Sequence, residues 1–307
     1  MSGVCYLVRH DTQYEYAGEV AHSHQQLHLT PRETERQQCL AHRIEINPEP
    51  SRRTEHLDAF GNIVTRIEFD KPHGRLDVVS DMRVQLAPLP ELDLEEGEPW
   101  ESVRDQLCYN AQSRTVHWLE AMRFRGESPY VRIKRQFREF AADCLSPGAS
   151  VASVANAVMA KVNAEFRYEQ GATEIATPLM DVLANRCGVC QDFAHMMIAS
   201  LRSVGLAARY VSGYLHTHRP QAAATSEPGA EVLGADASHA WVAVFAPPLG
   251  WISFDPTNNL LVDQEHVALA WGRDFGDVSP LRGVILGGGS HQLTVKVTVE
   301  KSAEPAT

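Results

Sequence analysis

Cys190 stands where a helical pattern begins. Gly188-Val189-Cys190-Gln191-Asp192-Phe193-Ala194-His195 leads into apolar positions at Met197, Ile198 and Leu201. The spacing predicts a helix from Cys190 to about Val204, with Gly205 as its C′ residue. A thiol in a first helical turn faces backbone N–H groups without acceptors and the positive end of the helix dipole. Both favour thiolate over thiol, and a thiolate is a nucleophile. Gly188 is read as room for a substrate beside the sulfur. Two other readings stay open from this segment alone. A lone cysteine is commonly a small buried hydrophobe. Cys187-Gly188-Val189-Cys190 is also a C-x-x-C, suited to a redox pair or half a zinc site, although Cys5, Cys39, Cys108 and Cys144 are isolated.

A base and its orienter follow. Ser238-His239-Ala240-Trp241-Val242-Ala243-Val244-Phe245 alternates like a strand, Pro247-Pro248-Leu249-Gly250 is turn chemistry, and Trp251-Ile252-Ser253-Phe254-Asp255 reads as the returning strand. If Val244 faces Gly250, residues 245–249 form the loop and His239 faces Asp255, about 4.5–5.5 Å apart at Cβ. A carboxylate there holds an imidazole in one tautomer and stabilises its protonated form. A His–Asp pair on a hairpin is more often structural, but with a helix-borne thiol it completes nucleophile, base and orienter.

Other elements must position these groups. Before residue 98 the chain is β-rich, with strands expected at 4–8, 63–69, 76–79 and 82–86. The acidic run from Glu91 to Glu98, bounded by prolines, reads as a solvated linker. Helical periodicity follows over 101–122, 129–145 and 150–165, and strands are expected at 208–215, 240–245, 251–254 and 293–299. Residues 217–236, rich in Ala, Pro, Gly and Ser, read as a loop near the candidate site. The net charge of -11 disfavours nonspecific binding to nucleic acid or to anionic membranes. No stretch of about 18 apolar residues is present and the N-terminus lacks a signal-peptide pattern, so a cytoplasmic protein with reduced thiols is expected.

At these motifs the sequence resembles the transglutaminase-like superfamily. The resemblance rests on residues 188–195, on Ala207-Ala208-Arg209-Tyr210-Val211-Ser212-Gly213-Tyr214, on Asp236-Ala237-Ser238-His239-Ala240-Trp241 and on Phe254-Asp255-Pro256-Thr257-Asn258. The first part is similar to the N-terminal region of bacterial members, through residues 10–16, Leu29-Thr30-Pro31-Arg32, Asp58-Ala59-Phe60-Gly61-Asn62 and Lys71-Pro72-His73. The resemblance implies an α+β chain: a β-rich N-terminal domain (1–98), a helical connection (99–149) and a papain-like core (150–307). It implies Cys190 as nucleophile, His239 as base and Asp255 as orienter, acting on a peptide or another amide-bonded substrate. It also implies a functional link to ATP-grasp and alpha-helical partner proteins. The family includes cross-linkers, peptidases, amidases and members without catalysis, so the reaction stays open. No calcium-loop or metal-ligand spacing is evident, and no cofactor is expected. Gln191 and Tyr168 are candidate oxyanion donors, and Asp236, Trp241 and Tyr214 candidate cleft residues. Asp192 and His195 are expected to brace the helix start.

Overall fold

The computed structural model describes residues 3–108, 115–216 and 238–302. Five strands come first: β1 Val4–Leu27, β2 Gln37–Asn47, β3 Arg52–Leu57, β4 Ile63–Phe69 and β5 His73–Leu86. Then come α1 Trp100–Gln106, α2 Val116–Met122, α3 Arg135–Ala141, α4 Val151–Glu165, β6 Arg167–Tyr168, α5 Leu179–Asn185, β7 Cys187–Gly188 and α6 Cys190–Ser203. The last elements are β8 Ala208–Leu215, β9 His239–Phe245, β10 Trp251–Asp255, β11 Leu260–Leu261, β12 His266–Gly272, α7 Phe275–Val278, β13 Leu281–Gly287 and β14 His291–Lys301. The α+β expectation holds: a β-rich N-terminal sheet stands against a mixed helical and β core. No helix among the described residues is long and apolar enough to cross a membrane.

The inner sheet is antiparallel in the order β11-β10-β9-β8-β12, with α6 against β8 and β9. From Asp192 to Arg202 every residue of α6 is buried, as a helix walled on all sides requires. It packs on α3, α4 and α5 as well as on the sheet. Its C-terminus is a Schellman motif. Leu206 N–H donates to Leu201 O and Gly205 N–H to Arg202 O, with Gly205 at φ +91° as a left-handed C′ glycine. Arg202 leaves the same end and donates to the carbonyls of Ala208, Gly126 and Arg273, tying three connections to one buried guanidinium.

The outer sheet is built on β1. Along one edge β1 pairs with β5 and β4, and along the other with β14 and β13, with register shifts near residues 15–22. The segment 150–307, expected as one catalytic domain, therefore divides: its last two strands complete the N-terminal sheet. The strands expected at 76–79 and 82–86 are one strand, β5. Residues 101–122 and 129–145 yield only short helices among their described residues, α1, α2 and α3.

The two sheets meet through a backbone mimic. β12 is an edge of the inner sheet, and an open edge leaves N–H and C=O groups without partners. The Gln37 amide fills one place: Nε2 donates to Ala268 O at 2.6 Å, and Oε1 accepts from Ala268 N at 2.7 Å. The Asn62 amide does the same at Trp271, at 2.8 and 3.0 Å. Asp58 fixes Asn62 by accepting from its backbone and side-chain N–H groups. Arg32 donates to Asn62 Oδ1 and lies over the Trp271 ring. The Leu29–Arg32 and Asp58–Asn62 motifs thus bind the sheets together.

Candidate functional site

α6 begins at Cys190, as the sequence pattern predicts, and half of a capping box holds its start. The Asp192 carboxylate, at N3, accepts from the Val189 N–H at 2.9 Å and from the Thr173 hydroxyl at 2.6 Å. Its carboxyl is shifted upward, burial outweighing these two hydrogen bonds. Gly188 has a different reason from the expected one. A Cβ there would lie 2.5 Å from Asp192 Oδ2 and 2.8 Å from Asp192 Cβ, so the glycine makes room for the cap rather than for substrate. β7 pairs in parallel with β6, setting Tyr168 opposite Gly188. Burial raises the Tyr168 hydroxyl pKa, and the charge of nearby Cys190 adds to the shift.

His239 and Asp255 meet, in another register than expected. Trp251 faces Phe245 and Ile252 faces Val244, so the connection comprises residues 246–250. Extending that register sets Asp255 against Trp241, with His239 its diagonal neighbour. The offset of two keeps side-chain parity, so both groups still point to one face. His239 Nε2 donates to Asp255 Oδ2 at 2.7 Å, and both side chains are fully buried. Nδ1 remains for the sulfur. It makes no bond of full hydrogen-bond geometry, yet Cys190 is close enough to raise the proton affinity of the ring. Burial opposes charge on His239. Attraction and hydrogen bonding to Asp255 outweigh it, Cys190 adds to them, and the imidazole pKa is pushed up to about 10.

Asp255 is a satisfied anion. Oδ1 accepts from the backbone N–H groups of Thr257 and Asn258, and Oδ2 from His239, from Asn258 Nδ2 and from His266 Nε2 at 3.3 Å. Burial opposes its charge, but His239 and His266 hold the carboxyl well below the usual carboxylate range. His266, at the start of β12, is the residue that sequence reasoning missed. Its ring is buried between Asp255 and Asp263, with Nδ1 at 3.6 Å from Asp263 Oδ1. No spacing to the other groups announces it; only the β8–β12 pairing brings it in.

The ligand atoms of His239, Asp255 and His266 lie within 4.8 Å of one another, the geometry of a possible cation site. The carboxylate already accepts five N–H donors, however, and a cation would have to displace the His239–Asp255 proton. The donor set suits a hydrogen-bond relay better than a metal. Cys187 and Cys190 belong to no group of three candidate ligands among the described residues, and all six cysteines are unpaired. A zinc half-site at the C-x-x-C therefore has no further ligands there.

The remaining candidates separate. Trp241 is buried behind the histidines, 6.1 Å from the His239 ring and 5.3 Å from His266, with Val211, Ala243 and Val262 around it. The Gln191 amide donates to Ile175 O at 3.4 Å, away from an oxyanion role. Tyr214 does not line the cleft: its hydroxyl meets His10 Nδ1 of β1 at 2.8 Å, at the junction of the sheets. His195 Nε2 accepts from the Phe275 N–H, and burial, then Arg202, lowers its pKa to about 3, so it anchors α7 as a neutral ring. It braces a neighbouring helix rather than the start of its own. Asp236 and the expected loop 217–236 lie outside the described residues.

The profile of the bacterial transglutaminase-like N-terminal region matches residues 6–85, and that of the transglutaminase-like superfamily matches residues 138–256. An uncharacterized protein of Mycobacterium tuberculosis is 38% identical over 288 residues, covering 91% of this chain and 87% of its own. An uncharacterized protein of Mycobacterium leprae is 31% identical over 299 residues, covering 96% and 98%. The chain belongs to the transglutaminase-like superfamily. A protein-glutamine gamma-glutamyltransferase of Pseudomonas aeruginosa is 27% identical over 198 residues, 59% of this chain and 27% of that one. In fold, the chain is similar to the crystal structure of a candidate cysteine protease from Cytophaga hutchinsonii, with a TM-score of 0.74, 19% identity, and coverage of 100% of this chain and 93% of that one.

Proposed function

We propose that this chain is a thiol enzyme that cleaves or exchanges peptide- or isopeptide-type amide bonds, with Cys190 as nucleophile, His239 as acid and base, and Asp255 as orienter. One observation carries the reading. A buried carboxylate grips one nitrogen of an imidazole, whose other nitrogen is left for a thiol at a helix start. With its pKa raised to about 10, the ring holds its proton at neutral pH, and the sulfur acts as thiolate.

The sulfur attacks the amide carbonyl carbon, forming C–S and moving the π pair onto oxygen. The Cys190 N–H, in a first turn where no intrahelical acceptor exists, is a donor for that oxyanion. Collapse breaks C–N, and His239 gives its proton to the departing amine. Acylation removes the sulfur's charge and with it part of what raised the imidazole's proton affinity, so His239 becomes a stronger acid as the leaving group needs one. Water or a second amine then attacks the thioester, His239 takes its proton, C–S breaks and the thiolate returns.

The test is intact-protein mass spectrometry with a peptide thioester, followed by a glutamine-containing peptide with and without a primary amine. An acyl adduct on Cys190 that forms in wild type and not in His239→Ala is the expected result. A full-length protein that alkylates at Cys190 no faster than a free thiol, with no change in His239→Ala, would sink the reading.

A further inference from the structure

Beyond the far end of β12 from His266, a cavity of about 760 Å³ opens between the outer sheet and the segments beside α2 and α7. Arg273 is seven positions after His266, which at about 3.3 Å per residue puts this cavity roughly 20 Å from the Cys190 centre. Its rim carries Arg66 on β4, Arg123 after α2, Arg273 before α7 and Arg282 on β13.

The charges here are unevenly spent. The two carboxylates of the cavity are already occupied. Asp277 is gripped by both edges of Arg273, at 2.9 Å each, and accepts from its backbone N–H. Asp58 accepts from Phe60 N–H, Asn62 N–H and Asn62 Nδ2. Three arginines have no such partner. Arg123 donates to Ala59 O, and Arg282 to Gly276 O and to Gln26 Oε1. The Arg66 guanidinium, on a residue whose backbone lies between Gln26 and Thr54, makes no hydrogen bond or ion pair among the described residues. Arg9, Arg75 and Arg209, by contrast, each sit beside an acid. Three uncompensated guanidiniums around one concavity, on a chain of net charge -11, form a local positive field in an acidic surround. The Phe60 ring lies under Arg123 at 5.0 Å and under Arg273 at 5.8 Å, which aligns both heads before any ligand arrives.

We infer that this cavity is a second binding site, separate from the thiol centre, for a small multiply charged oxyanion. Its arginines recognise phosphate or clustered carboxylate groups, since guanidinium forks fit both chemistries. The volume lies in the small-molecule range, and the rim joins β4 and β13 of the outer sheet to the segments beside α2 and α7, so an occupant links them.

The full-length chain is titrated by calorimetry and thermal melting with inorganic phosphate and, separately, with citrate, against sodium chloride at matched ionic strength. A saturable signal above chloride is expected, and the tighter of the two probes tells phosphoryl from carboxylate recognition. Arg66→Gln and Arg123→Gln should each weaken binding by about tenfold or more, the worth of one charge-assisted contact. Arg132→Gln, whose partner Glu127 is outside the cavity, should bind as wild type. Cys190 alkylation at the wild-type rate certifies the fold of each variant. No signal above chloride, or unchanged binding in correctly folded Arg66→Gln and Arg123→Gln, overturns the proposal.

Discussion

The inner and outer sheets use the same antiparallel ladder for different ends. In β8 and β9 all fifteen residues are buried, eight and seven respectively. In β13 none is buried, and in β14 only Val297 is; Val284, Leu286, Leu293 and Val295 stand exposed. The inner strands fix side chains: His239, Asp255 and His266 can hold sub-ångström relations because nothing around them can move far. β13 and β14, end to end along β1, fix only its backbone. Side-chain identity should therefore matter greatly in one sheet and little in the other.

The largest effect isolates chemistry from packing. Cys190→Ala should abolish acyl-enzyme formation, a loss of about 10⁴-fold or more in turnover, while melting stays near wild type. His239→Ala should lose comparable activity and also cost about 3–5 kcal/mol in a denaturant melt, because it strands the buried Asp255 charge. If both variants melt alike, the inner sheet is not the rigid frame described. Trp241→Ala should cost about 3–5 kcal/mol through the cavity it leaves behind the histidines.

A pH series sharpens the contrast. The folded His239 pKa is raised from 6.5 to about 10. Its stabilisation is therefore complete below about pH 6.5 and is lost as pH rises through about 10. The slope of stability between those limits should flatten in His239→Ala. Gly188→Ala should cost about 1–3 kcal/mol by crowding the Asp192 cap. The smallest effect belongs to β13 and β14: Leu286→Ser or Val295→Thr should stay within about 0.5 kcal/mol. A cost of several kcal/mol there would mean that the apolar face of these two strands is covered in solution.

The parts of the molecule that were legible in its sequence share one property: their local pattern and their buried face coincide. α6 starts and stops where its thiol, apolar period and Gly205 indicate, and β8 runs over the residues its β-branched and aromatic content marks. The His239–Asp255 face was also legible, because parity survives the error in register; a five-residue connection through Pro247 and Pro248 can be cut in more than one way. β1 was read only over its first residues. Its interior buries His10, Thr12, Ser23 and Gln25, so no apolar alternation continues along it. β2 and β3 are largely exposed, and only the short alternation around Ile44 and Ile46 marks either. Tyr214 was placed in the cleft because a strand buried on both faces does not say which face looks where. His266 and the partners of β13 and β14 follow from long-range pairing alone.

That pairing has a consequence for how the chain is made. Tyr6 lies opposite Lys301 and Tyr16 opposite His291. A strand made early thus waits for one made almost 300 residues later. On the ribosome, β1 keeps one edge open until β13 and β14 emerge, and contacts of such sequence separation close slowly. β13 and β14 act as a latch: until the chain through about residue 301 has formed, that edge of β1 presents unpaired N–H and C=O groups to any other strand.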